Sequence, residues 1–195
     1  MSLLEHVYSV LVVSASKNFN NNLKNLLSEV VYTPIYYVYS INEAQREIAE
    51  RFYDIIIINT PLPDDLGAKF AIDVSGEKQS VVLLFVKNDN YADVYEKVSS
   101  FGVFTVPKPL SQQGFLQSMD FAKAARERLR RMEKKTISIE EKMKEIKLVN
   151  RAKWILINTL NLSEDVAHHY IEKQAMDRCV SKRQIAEEII RNYDR

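Results

Sequence analysis

The run Tyr53-Asp54-Ile55-Ile56-Ile57-Ile58-Asn59-Thr60-Pro61-Leu62-Pro63-Asp64 decides how the first half of the chain folds. Four consecutive isoleucines leave no polar face, so a strand built from them must be covered on both sides. β-Branched residues favour the strand, and the proline-rich segment after Asn59 ends it in a turn. Val81–Val86 is a second run of the same kind. Further out, Tyr8–Val13, Ile35–Val38 and Val103–Val106 read as strands. Helical patterns lie between them near Asn18–Glu29, Asn42–Arg51, Asp65–Asp73 and Tyr91–Ser100, and a fifth begins near Ser111. This alternation predicts an α/β domain with a parallel sheet and crossover helices. Five such units fit the flavodoxin-like strand order 2-1-3-4-5.

In its details this segment resembles a CheY-like receiver domain of response regulators. Tyr53–Asp64 follows the third strand of that family and the loop after it. Lys108-Pro109 stands after the fifth strand, where receivers carry a lysine and often a cis Lys–Pro bond. The chemistry of the family requires a carboxylate nucleophile and further carboxylates to hold Mg²⁺. Here the resemblance puts Asn59 at the phosphoacceptor position, so no phosphoacceptor is expected. Ser14-Ala15 replaces the acidic pair, Phe85 the switch hydroxyl and Thr105 the switch aromatic; only Lys108 is retained. Asp54 starts its strand at the far end, and Asp64 and Asp65 read as turn residues. Residues 1–120 are therefore expected to be a pseudo-receiver domain with the degenerate pocket Ser14, Ala15, Asn59, Phe85 and Lys108. Two readings stand for Lys108. It donates to Asn59 or a backbone carbonyl in a collapsed pocket, or it is a surface lysine set by the turn at Pro107 and Pro109.

From Phe115 to Asn150 there is no proline or glycine. Ala122, Ala125, Leu129, Met132, Thr136, Ile139, Met143, Ile146 and Asn150 alternate at steps of three and four, with charged residues between them. The fifth receiver helix is thus expected to continue as a long coiled-coil helix, with residues 121–146 as the linker. The dimer seam would comprise Ala122, Ala125, Leu129, Met132, Ile139, Met143 and Ile146. Thr136-Ile137-Ser138 interrupts the charged run and is a candidate bend. The other reading is a single helix folded back on its own receiver.

Residues 147–195 are expected to form a small all-α domain of three helices. Val149, Ala152, Ile155, Leu156 and Leu160 mark the first, which stops near Asn161. Ser163 is a good N-cap, with Glu164 and Asp165 in the favourable first turn. Val166, Ala167, Tyr170, Ile171 and Ala175-Met176 are the expected buried side of the second. Ser181 with Gln184 is a capping box before Ile185, Ala186, Ile189 and Ile190. Together Arg151-Ala152-Lys153, Ile155-Leu156, Leu162-Ser163-Glu164, Ala167, Ala175-Met176 and Ile185-Ala186…Ile189-Ile190 resemble the ANTAR module, an RNA-binding unit of bacterial transcription antiterminators. Trp154 departs from that family, which commonly has a small residue there.

Charge agrees with this division. Residues 121–195 carry 18 Lys/Arg against 12 Asp/Glu, although the whole chain is nearly neutral at +1. A basic second half joined to an acidic first half suits a nucleic-acid-binding tail on a regulatory head. Lys144, Lys147, Arg151, Trp154 and Asn158 share one helical stripe, suited to phosphate contacts and base stacking. The resemblance adds Lys153, and Lys173, Arg178, Lys182 and Arg183 are candidates to complete the RNA surface. His168 and His169 are adjacent and no ligand spacing is present, so no metal, cofactor or catalytic residue is expected. Cys179 is the only cysteine, which fits a reducing, cytoplasmic setting, and neither a signal peptide nor a membrane span is read.

The expected function is an RNA-binding antitermination regulator, not an enzyme. It would act as a homodimer on hairpins in nascent leader mRNA, and a partner protein or signal on the receiver would control it rather than aspartyl phosphorylation. The alternative is a protein-interaction adaptor that never touches RNA. A DNA-binding regulator ranks third, because Ser181–Ile190 offers few base-reading side chains.

Overall fold

The computed structural model describes residues 6–77 and 80–193, so the outer ends of the first and last expected domains lie outside the described residues. Strands β1 (Tyr8–Val13), β2 (Tyr32–Val38), β3 (Ile55–Asn59), β4 (Val81–Lys87) and β5 (Phe104–Lys108) form one parallel sheet in the order β2-β1-β3-β4-β5. This is the expected flavodoxin-like topology. Val10 to Val13 pair in step with Ile55 to Ile58, and Ile55 to Asn59 with Val81 to Phe85. Every residue of β3 is buried, and in β4 only Lys87 is exposed. Strand β2 begins at Tyr32, earlier than expected, and includes Pro34. An edge strand tolerates proline because its outward side needs no N–H donor. The same reason allows Pro107 in β5 at the opposite edge.

Helices α1 (Lys17–Leu26), α2 (Ile41–Glu50), α3 (Ala68–Glu77) and α4 (Tyr91–Val98) connect the strands. Their starts follow local hydrogen bonds. Ser16 accepts from the Phe19 N–H and Ser40 from the Glu43 N–H. The Asp64 carboxylate also accepts from the Ile41 and Asn42 N–H groups, both at 3.0 Å, so this turn residue caps α2 from the β3–α3 loop. Gly67 lies in that loop at φ 75°, and a Cβ there would sit 3.0 Å from Ile58 Cγ2, so glycine is needed on both counts.

Residues 1–130 and 131–195 form two compact units. Helix α5 (Gln112–Leu160) contributes to both and is helical through Thr136–Ser138. In the first unit, one sheet face packs Leu11, Ile56, Ile58 and Leu84 with Ala44, Phe70, Val74 and Val98. The other packs Val10, Val12, Ile57 and Phe85 with Leu23 and with Phe115, Met119 and Ala122 of α5.

A buried ionic cluster holds α5 against the sheet end opposite the degenerate pocket. Asp54, just before β3, receives Arg126 Nε and Arg130 Nη2, each at 2.8 Å. Its other oxygen accepts from the Ser9 N–H at 3.0 Å and the Ser9 hydroxyl at 3.2 Å. Burial acts to raise the Asp54 pKa, but Arg126, the Ser9 N–H and Arg130 outweigh it and hold the carboxyl below its ordinary value. The Tyr8 hydroxyl donates to Glu127, and burial first, then that carboxylate, push its pKa up to about 12.

The second unit comprises the later part of α5 with α6 (Glu164–Asp177) and α7 (Lys182–Tyr193). Its core is Val149, Ala152 and Leu156 with Ala167, Ile171, Ala175, Ile185, Ala186 and Ile189. The expected buried side of the second helix needs correction. Val166, Tyr170 and Met176 are exposed, and α6 buries only the i, i+4 row Ala167–Ile171–Ala175. Leu160, the last residue of α5, is also exposed. Ser163 caps α6 through the Val166 N–H. Ser181 and Gln184 exchange hydrogen bonds at 3.1 and 3.2 Å as a capping box. The end of α6 is a Schellman motif: Val180 N–H donates to Ala175 O and Cys179 N–H to Met176 O, with Cys179 in the left-handed region at φ 51°.

Candidate nucleic-acid interface

The C-terminal ends of parallel strands are where such sheets bind ligands, and Ser14, Asn59 and Lys108 converge there. Asn59 Nδ2 donates to Ser14 Oγ at 3.0 Å. Lys108 Nζ donates to Asn59 Oδ1 at 2.6 Å and to the Thr60 carbonyl. Of the two readings of Lys108, the geometry is that of the collapsed pocket. Burial, with a smaller push from Lys87, holds its ammonium below the ordinary lysine value. Ala15 is exposed and contributes no polar group. Phe85 packs between Phe19 and Phe115, with ring centroids 5.4 and 6.0 Å away. Thr105 Oγ1 is buried without a hydrogen-bond partner. The Lys108–Pro109 bond is cis.

The two acids of the β3–α3 loop are already engaged. Asp64 caps α2, and Asp65 accepts from the Gly67 N–H at 2.6 Å. A neutral amide tied into its neighbours cannot form an acyl phosphate. Acetyl phosphate with Mg²⁺ should therefore leave the intact mass unchanged; a phosphoryl adduct mapping to the first unit would contradict this account. Beside this network, Phe19, Leu26, Lys108, Leu110 and Phe115 line a cleft of about 470 Å³.

The expected dimer seam divides along α5. Ala122 is fully buried in the first unit's own core, with Ala125 and Leu129 packed partly against it. Ala122 is therefore removed from the seam: Phe115, Met119 and Ala122 recur on the face of α5 that covers the sheet. Met132, Ile139, Met143 and Ile146 are each at least half exposed.

The expected RNA-contacting residues fall into two groups. Lys144, Lys147, Arg151, Trp154 and Asn158 all lie exposed on α5, and Trp154 keeps 64% of its surface accessible. Lys153, Arg178, Lys182 and Arg183 are ion-paired. Lys153 Nζ lies 2.9 Å from Glu164 Oε1, and Lys182 pairs with Glu172. Arg178 meets Glu188 through two bonds of 2.6 and 2.8 Å, and Arg183 meets Glu187 at 2.8 Å. Lys153 holds the Glu164 carboxyl below its ordinary value, and Lys182 does the same for Glu172. Lys173 is exposed on α6.

A groove of about 400 Å³ in this unit gathers Lys142, Lys153, His168 and Lys182. Sequence reasoning passed over Lys142 and His168 as members of one surface, since only the packing of α6 and α7 on α5 brings them together. Among the described residues no group of three or more His, Cys, Asp or Glu could hold a metal ion. No described helix is long and apolar enough to cross a membrane.

Comparison with known proteins agrees with both halves of the chain. Residues 138–190 match the ANTAR domain family. The transcriptional regulatory protein PdtaR of Mycobacterium tuberculosis is 22% identical over 138 residues, covering 70% of this chain and 67% of that protein. The signal receiver domain of an HD domain-containing protein from Pseudomonas fluorescens Pf-5 superposes with a TM-score of 0.58 at 19% identity, covering 67% of this chain and 97% of that one. The chemotaxis response regulator CheY4 of Vibrio cholerae gives 0.52 at 17% identity, covering 60% and 99%. The chain joins a receiver-like fold to an ANTAR domain.

Proposed function

We propose that this union of a receiver-like fold and an ANTAR domain is an RNA-binding transcription antitermination regulator. The observation that carries the reading is the ANTAR match over residues 138–190, whose α5 segment exposes Lys144, Lys147, Arg151 and Trp154 along one stripe. Exposed cations supply phosphate contacts, and an exposed indole supplies a stacking platform for an unpaired base. Acting as a homodimer, the protein would hold paired hairpins in a nascent leader transcript and so keep a terminator hairpin from forming. The similarity to a transcriptional regulatory protein supports control of gene expression. The Ser14–Asn59–Lys108 network supports control by a partner protein or signal on the receiver rather than by aspartyl phosphorylation.

The test is filter binding of stem–loop RNAs by the full chain across a range of salt. Affinity should fall with a log–log slope of about −0.7 to −0.9 per neutralised phosphate. Lys144→Ala with Lys147→Ala should weaken every hairpin alike and flatten that slope, without unfolding, because both side chains lie off the core. The adaptor reading draws on the ion pairs that occupy Arg178, Lys182 and Arg183. It requires RNA binding that is absent or insensitive to salt.

A further inference from the structure

Asn150, Lys153, Trp154 and Ile157 lie along one side of α5 and, with Glu164 at the start of α6, line a cavity of about 190 Å³. That is below the roughly 300 Å³ at which pockets for drug-sized ligands begin, and is of a size for one planar base. Trp154 forms one wall and is the chain's only tryptophan. Its indole is largely exposed and stacks on no other ring among the described residues. Ile157 adds an apolar surface. The Lys153–Glu164 pair, Nζ to Oε1 at 2.9 Å, lines the same cavity. The Lys153 side chain is only 16% exposed, so its ammonium is held in place, whereas that of Glu164 is 73% exposed. A carboxylate offers about four acceptor sites, so Glu164 keeps capacity beyond the lysine.

We propose that this cavity takes one unpaired guanine of the bound RNA, stacked on Trp154 and read along its Watson–Crick edge by Lys153 and Glu164. The inference rests on the RNA-binding reading above. An ammonium beside a carboxylate presents donor, acceptor, acceptor in sequence. Guanine presents the complement: the O6 acceptor, then the N1–H and N2–H donors. The carboxylate takes the two N–H groups as it would the fork of an arginine, and the ammonium meets O6. Adenine sets its N1 lone pair against the carboxylate, cytosine sets both N3 and O2 against it, and uracil offers it a single donor. Only guanine satisfies both groups. Lys153 holds Glu164 ionised, so the two acceptors persist at neutral pH. Reading splayed bases by stacking and by their Watson–Crick edges is the usual route to sequence preference in RNA.

The test uses the full chain and stem–loop RNAs with one stem, whose uridine loops carry a single guanosine, inosine or adenosine. The guanosine loop should bind about 5- to 150-fold tighter than the adenosine loop, the range of a bidentate base contact. Inosine, which lacks the N2 amine, should fall between them. Guanosine should also change the fluorescence of Trp154, the only tryptophan present. Glu164→Gln should remove most of the guanine preference, bringing the guanosine and adenosine loops to within about 3-fold of each other. Equal affinity for guanosine and adenosine loops, with salt-sensitive binding retained, would overturn the pocket and leave the RNA reading intact. Loss of all salt-sensitive binding in the wild type would overturn both. If Trp154→Ala lowers thermal stability and keeps base discrimination, the indole belongs to a protein interface and the proposal fails.

Discussion

Asp54→Ala should destabilise the first unit by about 3–5 kcal/mol, the cost of removing one partner from a buried ion pair. Asp54 is 6% and Arg126 5% exposed, and the Arg130 side chain is only 22% exposed. Truncation takes the Asp54 carboxylate from both guanidinium groups and from Ser9, although Arg130 keeps Glu127 at 2.8 Å. The replacement alanine offers no acceptor in return, so part of the desolvation of the buried Arg126 is no longer offset. Chemical denaturation followed by circular dichroism measures the loss. A change below about 1 kcal/mol, as for an exposed pair, would show that the cluster contributes little. Proton linkage provides a second reading. Because the folded state lowers the Asp54 pKa, its stabilisation is fully present above the unfolded value near 3.9 and is lost as pH falls through the lower folded value. Wild type should therefore lose more stability than Asp54→Asn in that acid window.

Met143→Asp with Ile146→Asp should convert a dimer into monomers. Both side chains are about half exposed in the single chain. Fully burying an aliphatic side chain of this size is worth about 1.5–3 kcal/mol, so the half still exposed carries about 0.8–1.5 kcal/mol. Four such residues across a two-fold seam make roughly 3 kcal/mol at the low end, or about two decades in dissociation constant. The four aspartates brought together would repel as well. The pair is placed below Leu129, which packs partly on the first unit's own core and would confuse dissociation with unfolding. Analytical ultracentrifugation of both proteins decides the matter. A wild type already monomeric at working concentration would contradict the seam, and a double variant that stays dimeric would place the interface elsewhere.

The backbone plan was legible because two-sided apolar strands such as Ile55–Ile58 allow few architectures. The helix caps were equally readable, since Ser163 and the Ser181–Gln184 pair act within three residues of themselves. What escaped the sequence depended on distant partners. Asp54 reads as an isolated acid before a strand, and only the path of α5 brings Arg126 and Arg130 to it, 72 and 76 residues later. Ala122 fits both a heptad seam and a sheet-covering face, and periodicity alone does not choose between them. Tyr170 was expected in the core from its apolar ring; the narrow stripe of α6 leaves it outside. In the candidate RNA surface, the exposed α5 stripe followed from spacing. The pairing of Lys153 with Glu164 and the cavity they share with Trp154 required the turn between α5 and α6.

The central claim is that the chain acts on transcription through RNA. Its most direct test is single-round transcription through a leader bearing two hairpins ahead of an intrinsic terminator, with and without the full-length protein. The account predicts increased readthrough that depends on both hairpins, declines as salt rises and weakens in Lys144→Ala with Lys147→Ala. Unchanged readthrough on leaders to which the protein is demonstrably bound would contradict antitermination.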